Sequence, residues 1–202
     1  MMDNTEFIYR VLSDERLGKV EALYLFSQTE HNQYSVLDFA TESFENGGIE
    51  QVVILGSDPV SAYPGSQLWR TILMTRGIPP ELVLETEGKG LDEVNTYKEA
   101  QLFVDFCVKY ELTNVAITAA PFHQERAYIS TVSAALKAGA NLKIHSYLGK
   151  ALAWNQQSVH SQGLQKGTRL EILKTEQEKI EKYFKKGDLL SRKEILEYMN
   201  NR

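Results

Sequence analysis

The strongest constraint on this chain is an alternation that runs from residue 20 to residue 147. Short apolar stretches of strand length take turns with segments whose apolar residues recur at helical spacing. Residues 20–26 (VEALYLF) lead to a segment with Val36, Leu37, Ala40 and Phe44 on one helical face, closed by Asn46-Gly47-Gly48. Residues 52–55 (VVIL) lead through Gly56-Ser57-Asp58 to a face of Leu68, Trp69, Ile72 and Leu73 that ends at Gly77. The third cycle is residues 82–84 (LVL), then Leu102, Phe103, Phe106, Cys107 and Tyr110 at helical spacing. The fourth is residues 114–119 (NVAITA), then Tyr128, Val132, Ala135 and Leu136, ending at Gly139, and residues 142–147 (LKIHSY) close the pattern.

Crossovers of helix length join parallel neighbours, whereas antiparallel neighbours need only a tight turn. The first, second and fourth runs are apolar enough to be buried on both faces, as in a central parallel sheet. The pattern predicts an α/β, doubly wound (Rossmann-like) domain over residues 1–150, with a five-stranded parallel sheet in the order 3-2-1-4-5. Residues 1–18 predict one or two short helices ahead of it.

Residues 151–202 read differently, as an irregular segment followed by C-terminal helices packed on or beside the core. The stretch 148–167 is polar, with little periodicity, which marks a functional or mobile segment. From 168 to 202 there are nine basic and seven acidic residues, a net +2; with −5 overall, the rest of the chain carries −7. Leu170, Leu173, Ile180 and Phe184 predict a helical face, Gly187 a stop, and Ser191 with Glu194 a capping box for a last helix bearing Ile195, Leu196 and Met199. The mixed charges are either a solvated helix face or a surface for a protein partner or self-association.

Composition excludes several classes. With 43% hydrophobic and 24% charged residues, the chain supports a core, which excludes disorder and fibre. The acidic balance lacks the basic surplus of a general nucleic-acid binder. One cysteine excludes a disulfide framework and a multi-cysteine zinc site, and Cys107 falls on an apolar helical face, a core position. There is no apolar stretch near the N-terminus and no run approaching the roughly 18 residues of a membrane span, so a cytoplasmic location is expected.

Ligands of open α/β sheets bind beyond the carboxyl ends of the strands. Those ends supply Ser27-Gln28-Thr29, Gly56-Ser57-Asp58, Glu85, His123 and Tyr147. In Ala120-Pro-Phe-His123-Gln-Glu-Arg126 the chain turns from strand to helix. The free N–H groups of that helix start, with His123 and Arg126 one turn apart, suit a phosphate or carboxylate; the alternative is a helix-terminal histidine and a surface arginine. Gly56 lets backbone amides approach a ligand, or makes an ordinary turn. Thr96 with Glu99 fits a capping box, which leaves Asn95 unexplained. His31, His145 and His160 are isolated. There is no phosphate-loop motif, no GxGxxG after the first strand, no serine elbow and no metal-ligand spacing, although Asp58, Glu85 and Glu99 could supply oxygen ligands.

The order of these pieces resembles the bacterial domain-of-unknown-function family typified by YdcF, SanA and ElyC. The residues that carry the likeness are Ile54 to Ser57, Gly77-Ile78-Pro79, Glu85, Asn95-Thr96-x-x-Glu99-Ala100, Ile117 to Ala119, and His123-x-x-Arg126-Ala127. It covers about residues 20–150. The resemblance implies a doubly wound fold and marks Gly56, Ser57, Glu85, Asn95, Thr96, Glu99, His123 and Arg126 as ligand contacts. It also implies S-adenosylmethionine as a possible ligand, since one member is reported to bind it, and links to the cell envelope. This chain departs from the family pattern at Glu93, at residues 64–67 (PGSQ) and at Ser27-Gln28.

The expectation is a protein that binds a small anionic or nucleotide-like ligand, with His123 and Glu99 as catalytic groups. Ser27, Gly56, Ser57, Asp58, Glu85, Asn95, Thr96 and Arg126 would bind the ligand, and no metal is required. The alternative is a non-catalytic regulator or scaffold that uses the charged tail.

Overall fold

The computed structural model describes residues 4–16, 18–160 and 165–202. Strands β1 (Ala22–Leu25), β2 (Val52–Gly56), β3 (Val83–Glu87), β4 (Asn114–Thr118) and β5 (Lys143–Ser146) form one parallel sheet in the order β3-β2-β1-β4-β5. Both the class and the order are those expected from the alternation of runs. Helices α2 (Gln33–Glu45) and α3 (Ser66–Thr75) cover one face, and α4 (Thr96–Lys109) and α5 (Gln124–Ala138) cover the other. Side chains alternate across β1: Leu23 and Leu25 join Val36 and Trp69, whereas Tyr24 and Phe26 join Phe103 and Ala127. Helices α1 (Asn4–Leu12), α6 (Arg169–Lys185) and α7 (Arg192–Asn201) lie outside α5 and extend the same core through Phe7, Ile180 and Ile195.

Several local expectations are corrected. Leu68 and Leu136 are exposed, because each sits one position off the inward stripe of its helix, and Tyr110 is exposed because α4 ends before it and it is the C-cap. On α6 only Ile180 of the expected face of Leu170, Leu173, Ile180 and Phe184 is fully buried. Arg169, Ile172, Glu176 and Ile180 turn inward, and Leu170 and Phe184 are exposed. Two of the four inward residues are charged, so apolar spacing points to the wrong side. The stretch expected to be irregular contains a two-stranded antiparallel ribbon, β6 (Gln157–His160) and β7 (Gln165–Thr168). Its strands are polar and hide from hydrophobicity, while backbone pairing holds them; residues 161–164 of this stretch lie outside the described residues. Residues 1–18 yield the single helix α1 among those described.

Other details agree. Cys107 is buried, and burial pushes its thiol well up. Ser191 and Glu194 form the capping box of α7, and Thr168 with Glu171 forms another at α6. The opposite charges of tail and body meet within the chain: Arg192 lies 2.9 Å from Glu125, and Arg202 pairs with Asp14. Among the described residues no helix is long and apolar enough to cross a membrane.

Candidate functional site

Strand β1 feeds α2 on one face of the sheet and its neighbour β4 feeds α5 on the other, so a crevice opens beyond their C-terminal ends. A cavity of about 90 Å³ occupies it. Ser27 and Gln28 enter its wall from the end of β1, Asn95, Thr96 and Glu99 from α4, and His123 and Arg126 from the start of α5. The tail closes it with His160, Lys179 and Tyr183.

The start of α4 differs from the capping-box reading. Asn95 is the N-cap, and its Oδ1 accepts from the Lys98 N–H at 2.9 Å. Asn95 is thereby explained, and Thr96 and Glu99 are released for the inward face of the first turn. Glu99 is only 3% exposed. Its Oε1 accepts from the Tyr24 hydroxyl (3.0 Å), the Ser27 N–H (2.6 Å) and the Ser27 hydroxyl (2.8 Å). Oε2 takes no hydrogen bond from the described residues. Burial pushes the carboxyl up to about 7, against the downward pull of those bonds and of Arg126.

The hydrogen bonds around His123 fix its tautomer. Gln28 Nε2 donates to the Phe26 carbonyl at 3.2 Å and lies 3.1 Å from His123 Nδ1. The first bond sets the amide orientation, so Nδ1 must accept and Nε2 carries the hydrogen. That N–H points to Thr96 Oγ1 at 3.0 Å. Burial, aided by Arg126, lowers the His123 pKa well below its ordinary value, so the ring is neutral near pH 7. Thr96 Oγ1 also accepts a short bond from Arg126 Nη1.

Arg126 is buried, not a surface arginine, and its anion is part of the protein. Arg126 Nε lies 2.6 Å from Glu176 Oε2, and Nη2 lies 3.2 Å from Oε1. Lys179 Nζ and His160 Nε2 reach the same Oε1 at 2.9 and 3.1 Å. Burial raises the Glu176 pKa, but Arg126 and His160 overcome it and hold the carboxyl well below the usual range. The His160 ring stands 5.1 Å from that of His123, and burial lowers its pKa.

His123, His160 and Glu176 each offer a metal-ligating atom, all within 4.8 Å of one another. Two imidazoles and a carboxylate suit a transition metal by type. Glu176, however, is clamped by Arg126 and Lys179, and two cations in contact with it oppose a dication. The donor set is engaged as a hydrogen-bond network instead. The acids Asp58, Glu85 and Glu99 do not come together as a metal-holding group among the described residues.

The tail is fastened across the crevice. The Thr29 hydroxyl and the Asn32 amide donate to the Val159 carbonyl at 2.7 and 3.1 Å. Buried Arg169 donates to Asn32 Oδ1 (2.9 Å), the His31 carbonyl (2.8 Å) and the Ala153 carbonyl (2.9 Å). On the rim, Val60 pairs with Tyr63 around Ser61 (φ 54°) and Ala62 (φ 66°). Two consecutive left-handed residues other than glycine or asparagine are unusual in such a turn.

Ser27, Asn95, Thr96, Glu99, His123 and Arg126, singled out from sequence, thus meet at one cavity. Gly56, Ser57, Asp58 and Glu85 lie outside its wall. A Cβ at Gly56 would stand 2.3 Å from the Thr86 carbonyl oxygen, so this glycine serves the close pairing of β2 and β3. Ser57 and Asp58 line a separate hollow with residues 64–67, at the start of α3. Glu85 sits within β3, which runs on to Glu87, and lies 3.9 Å from Arg70. Sequence reasoning missed Tyr24, His160, Glu176 and Lys179 as site residues. Tyr24 reads as core, and the other three lie on polar tail segments with no spacing signal.

Compared with known proteins, the chain matches no protein-family model, no curated protein and no solved structure.

Proposed function

We propose that this chain binds a small molecule beyond the C-terminal ends of β1 and β4 and exchanges a proton with it through Glu99. The observation that carries this reading is the asymmetry of that carboxyl on a residue that lines the cavity: Oε1 is held by three donors, while Oε2 takes no hydrogen bond from the described residues. A carboxyl that titrates near 7 is matched to general acid–base work at neutral pH. His123, fixed as the neutral Nε2–H tautomer, orients Thr96 through its hydrogen bond.

The cavity limits what enters. An apolar cavity of about 150 Å³ takes benzene, and pockets that enclose drug-sized ligands run to about 300–1,000 Å³. At about 90 Å³ the space takes the polar end of a ligand. A whole S-adenosylmethionine or nucleotide does not fit inside; its bulk would extend past Ser61 and Tyr183. The YdcF-like resemblance supports the location of the site, since Thr96 and Glu99 of one motif and His123 and Arg126 of the other line the same cavity. The regulator alternative relies on tail charges, and Arg169, Glu176, Arg192 and Arg202 are engaged inside the chain.

A thermal-shift screen with S-adenosylmethionine, nucleotides, sugar nucleotides and phosphorylated sugars tests the reading. A compound that binds only the native state raises the melting temperature with its concentration. The expected hit does so for the wild type and less for Glu99→Gln. Hits that stabilise both proteins equally would show that the ligand bypasses this cavity.

A further inference from the structure

The polar atoms of the cavity wall divide into those already engaged and those left over. Tyr24 and Ser27 give their hydrogens to Glu99 Oε1. His123 Nε2–H and the Arg126 guanidinium are directed at Thr96 and Glu176. Acceptors without a donor among the described residues include two. One is Glu99 Oε2. The other is Gln28 Oε1, which is buried without a partner among the described residues, on a side chain 1% exposed. A buried amide oxygen without a donor costs about 1–3 kcal/mol, so something at this site is expected to answer it. Donors remain as well, among them the Thr96 hydroxyl hydrogen, whose oxygen already accepts twice, and the Asn95 amide nitrogen, whose Oδ1 is used in capping.

The charges narrow the choice. Arg126 and Lys179 are balanced by Glu176 and an ionised Glu99. A lone cation adds an uncompensated positive charge. A lone anion is balanced only if Glu99 keeps its proton, and it offers nothing to Gln28 Oε1. A zwitterion leaves the sum at zero and answers acceptors and donors together. Scaled from the benzene cavity, the space takes on the order of four heavy atoms, close to the head of an amino acid with its side chain directed out of the mouth.

We propose that the cavity recognises the zwitterionic head of an α-amino acid, its ammonium against Glu99 Oε2 and Gln28 Oε1 and its carboxylate toward Thr96, Asn95 and Lys179. The proposal rests on the binding site described above and names its ligand class. Its pH dependence has a definite sign, because an ammonium favours ionised Glu99. With that carboxyl at about 7 in the empty site, affinity rises roughly tenfold between pH 6 and pH 8. The groups facing Glu99 do not reverse this. Tyr24 and Tyr63 are held protonated by burial, and burial shifts His123 and His160 toward the neutral form. Arg126 and Glu176 stay paired, and Lys179, lowered by burial, stays against Glu176.

Titration of the full-length ¹⁵N-labelled protein with L-alanine, ethylamine and propionate tests this, following the amides of Ser27, Gln28, Thr96 and His123 at pH 6 and pH 8. L-Alanine is expected to bind at least tenfold more tightly than either half-ligand, to tighten roughly tenfold at the higher pH, and to lose that pH dependence in Glu99→Gln. The wild-type comparison of three ligands needs no variant to fold. Propionate binding as well as L-alanine, and more tightly at pH 6, would overturn the amino-acid assignment and leave an anion site in the same cavity. Ethylamine equal to L-alanine would overturn it as well. If these amides move with none of the three, nor with any compound of the screen, the binding site itself falls with it.

Discussion

Replacing Glu99 with Gln should stabilise the protein above neutral pH. An unfolded glutamate ionises around 4.5, whereas the folded Glu99 holds its proton to about 7. Between those values the native state binds one more proton than the unfolded state, so stability falls as pH rises. The contribution is fully present below 4.5 and gone above 7. A gap of about 2.5 pH units, at 1.36 kcal/mol each, amounts to about 3 kcal/mol. Glutamine keeps an oxygen for Tyr24 and Ser27 and has no charge to desolvate. Urea unfolding of both proteins at pH 5, 6, 7 and 8 reads the effect as a stability difference that favours the variant and grows along the series. Comparing the two cancels the other titrations. A difference that stays flat from pH 5 to pH 8, or that grows toward acid, would refute the assignment of Glu99 as a buried group that resists ionisation.

Other outcomes follow from neighbouring contacts. Glu176→Gln strands the buried Arg126 guanidinium and should cost about 3–5 kcal/mol in urea unfolding, most of it recovered by adding Arg126→Met. Burial lowers the pKa of His123 and His160 below the value of about 6.5 at which unfolded histidines protonate. Their contribution is present above 6.5 and lost as pH falls. His123→Asn should therefore flatten the acid side of the wild-type stability curve, and an unchanged slope there would count against a neutral His123. Gly56→Ala drives a Cβ into the Thr86 carbonyl. It should lower stability by roughly 1–3 kcal/mol, without selectively weakening ligand-induced melting shifts.

How much of this was legible in the sequence differs by element. The sheet was, because β1, β2 and β4 are apolar runs between helix-length crossovers, and those two facts dictate parallel pairing. The body half of the site was legible too, since Ser27, Thr96, Glu99, His123 and Arg126 sit where strands end or helices begin. The tail half was not. His160 lies on a ribbon held by backbone pairing, and Glu176 is an inward acid on a helix whose apolar residues suggest another face. Its partner Arg126 is 50 positions away, and no local pattern encodes a pair at that distance. For Glu99 a local explanation competed with the functional one: Thr96 and Glu99 spell a capping box, yet the cap falls one residue earlier, at Asn95.

The clamp between Arg126 and Glu176 also orders events in time. Synthesis runs from the N-terminus, so all five strands and α5 exist before any of α6 does. A nascent body that folds early holds the Arg126 cation inside without its counter-charge, beside a crevice with no roof. The last quarter of the chain supplies both. A chain cut between α5 and α6 would leave Arg126 without Glu176 and the crevice without the wall that Lys179 and Tyr183 supply.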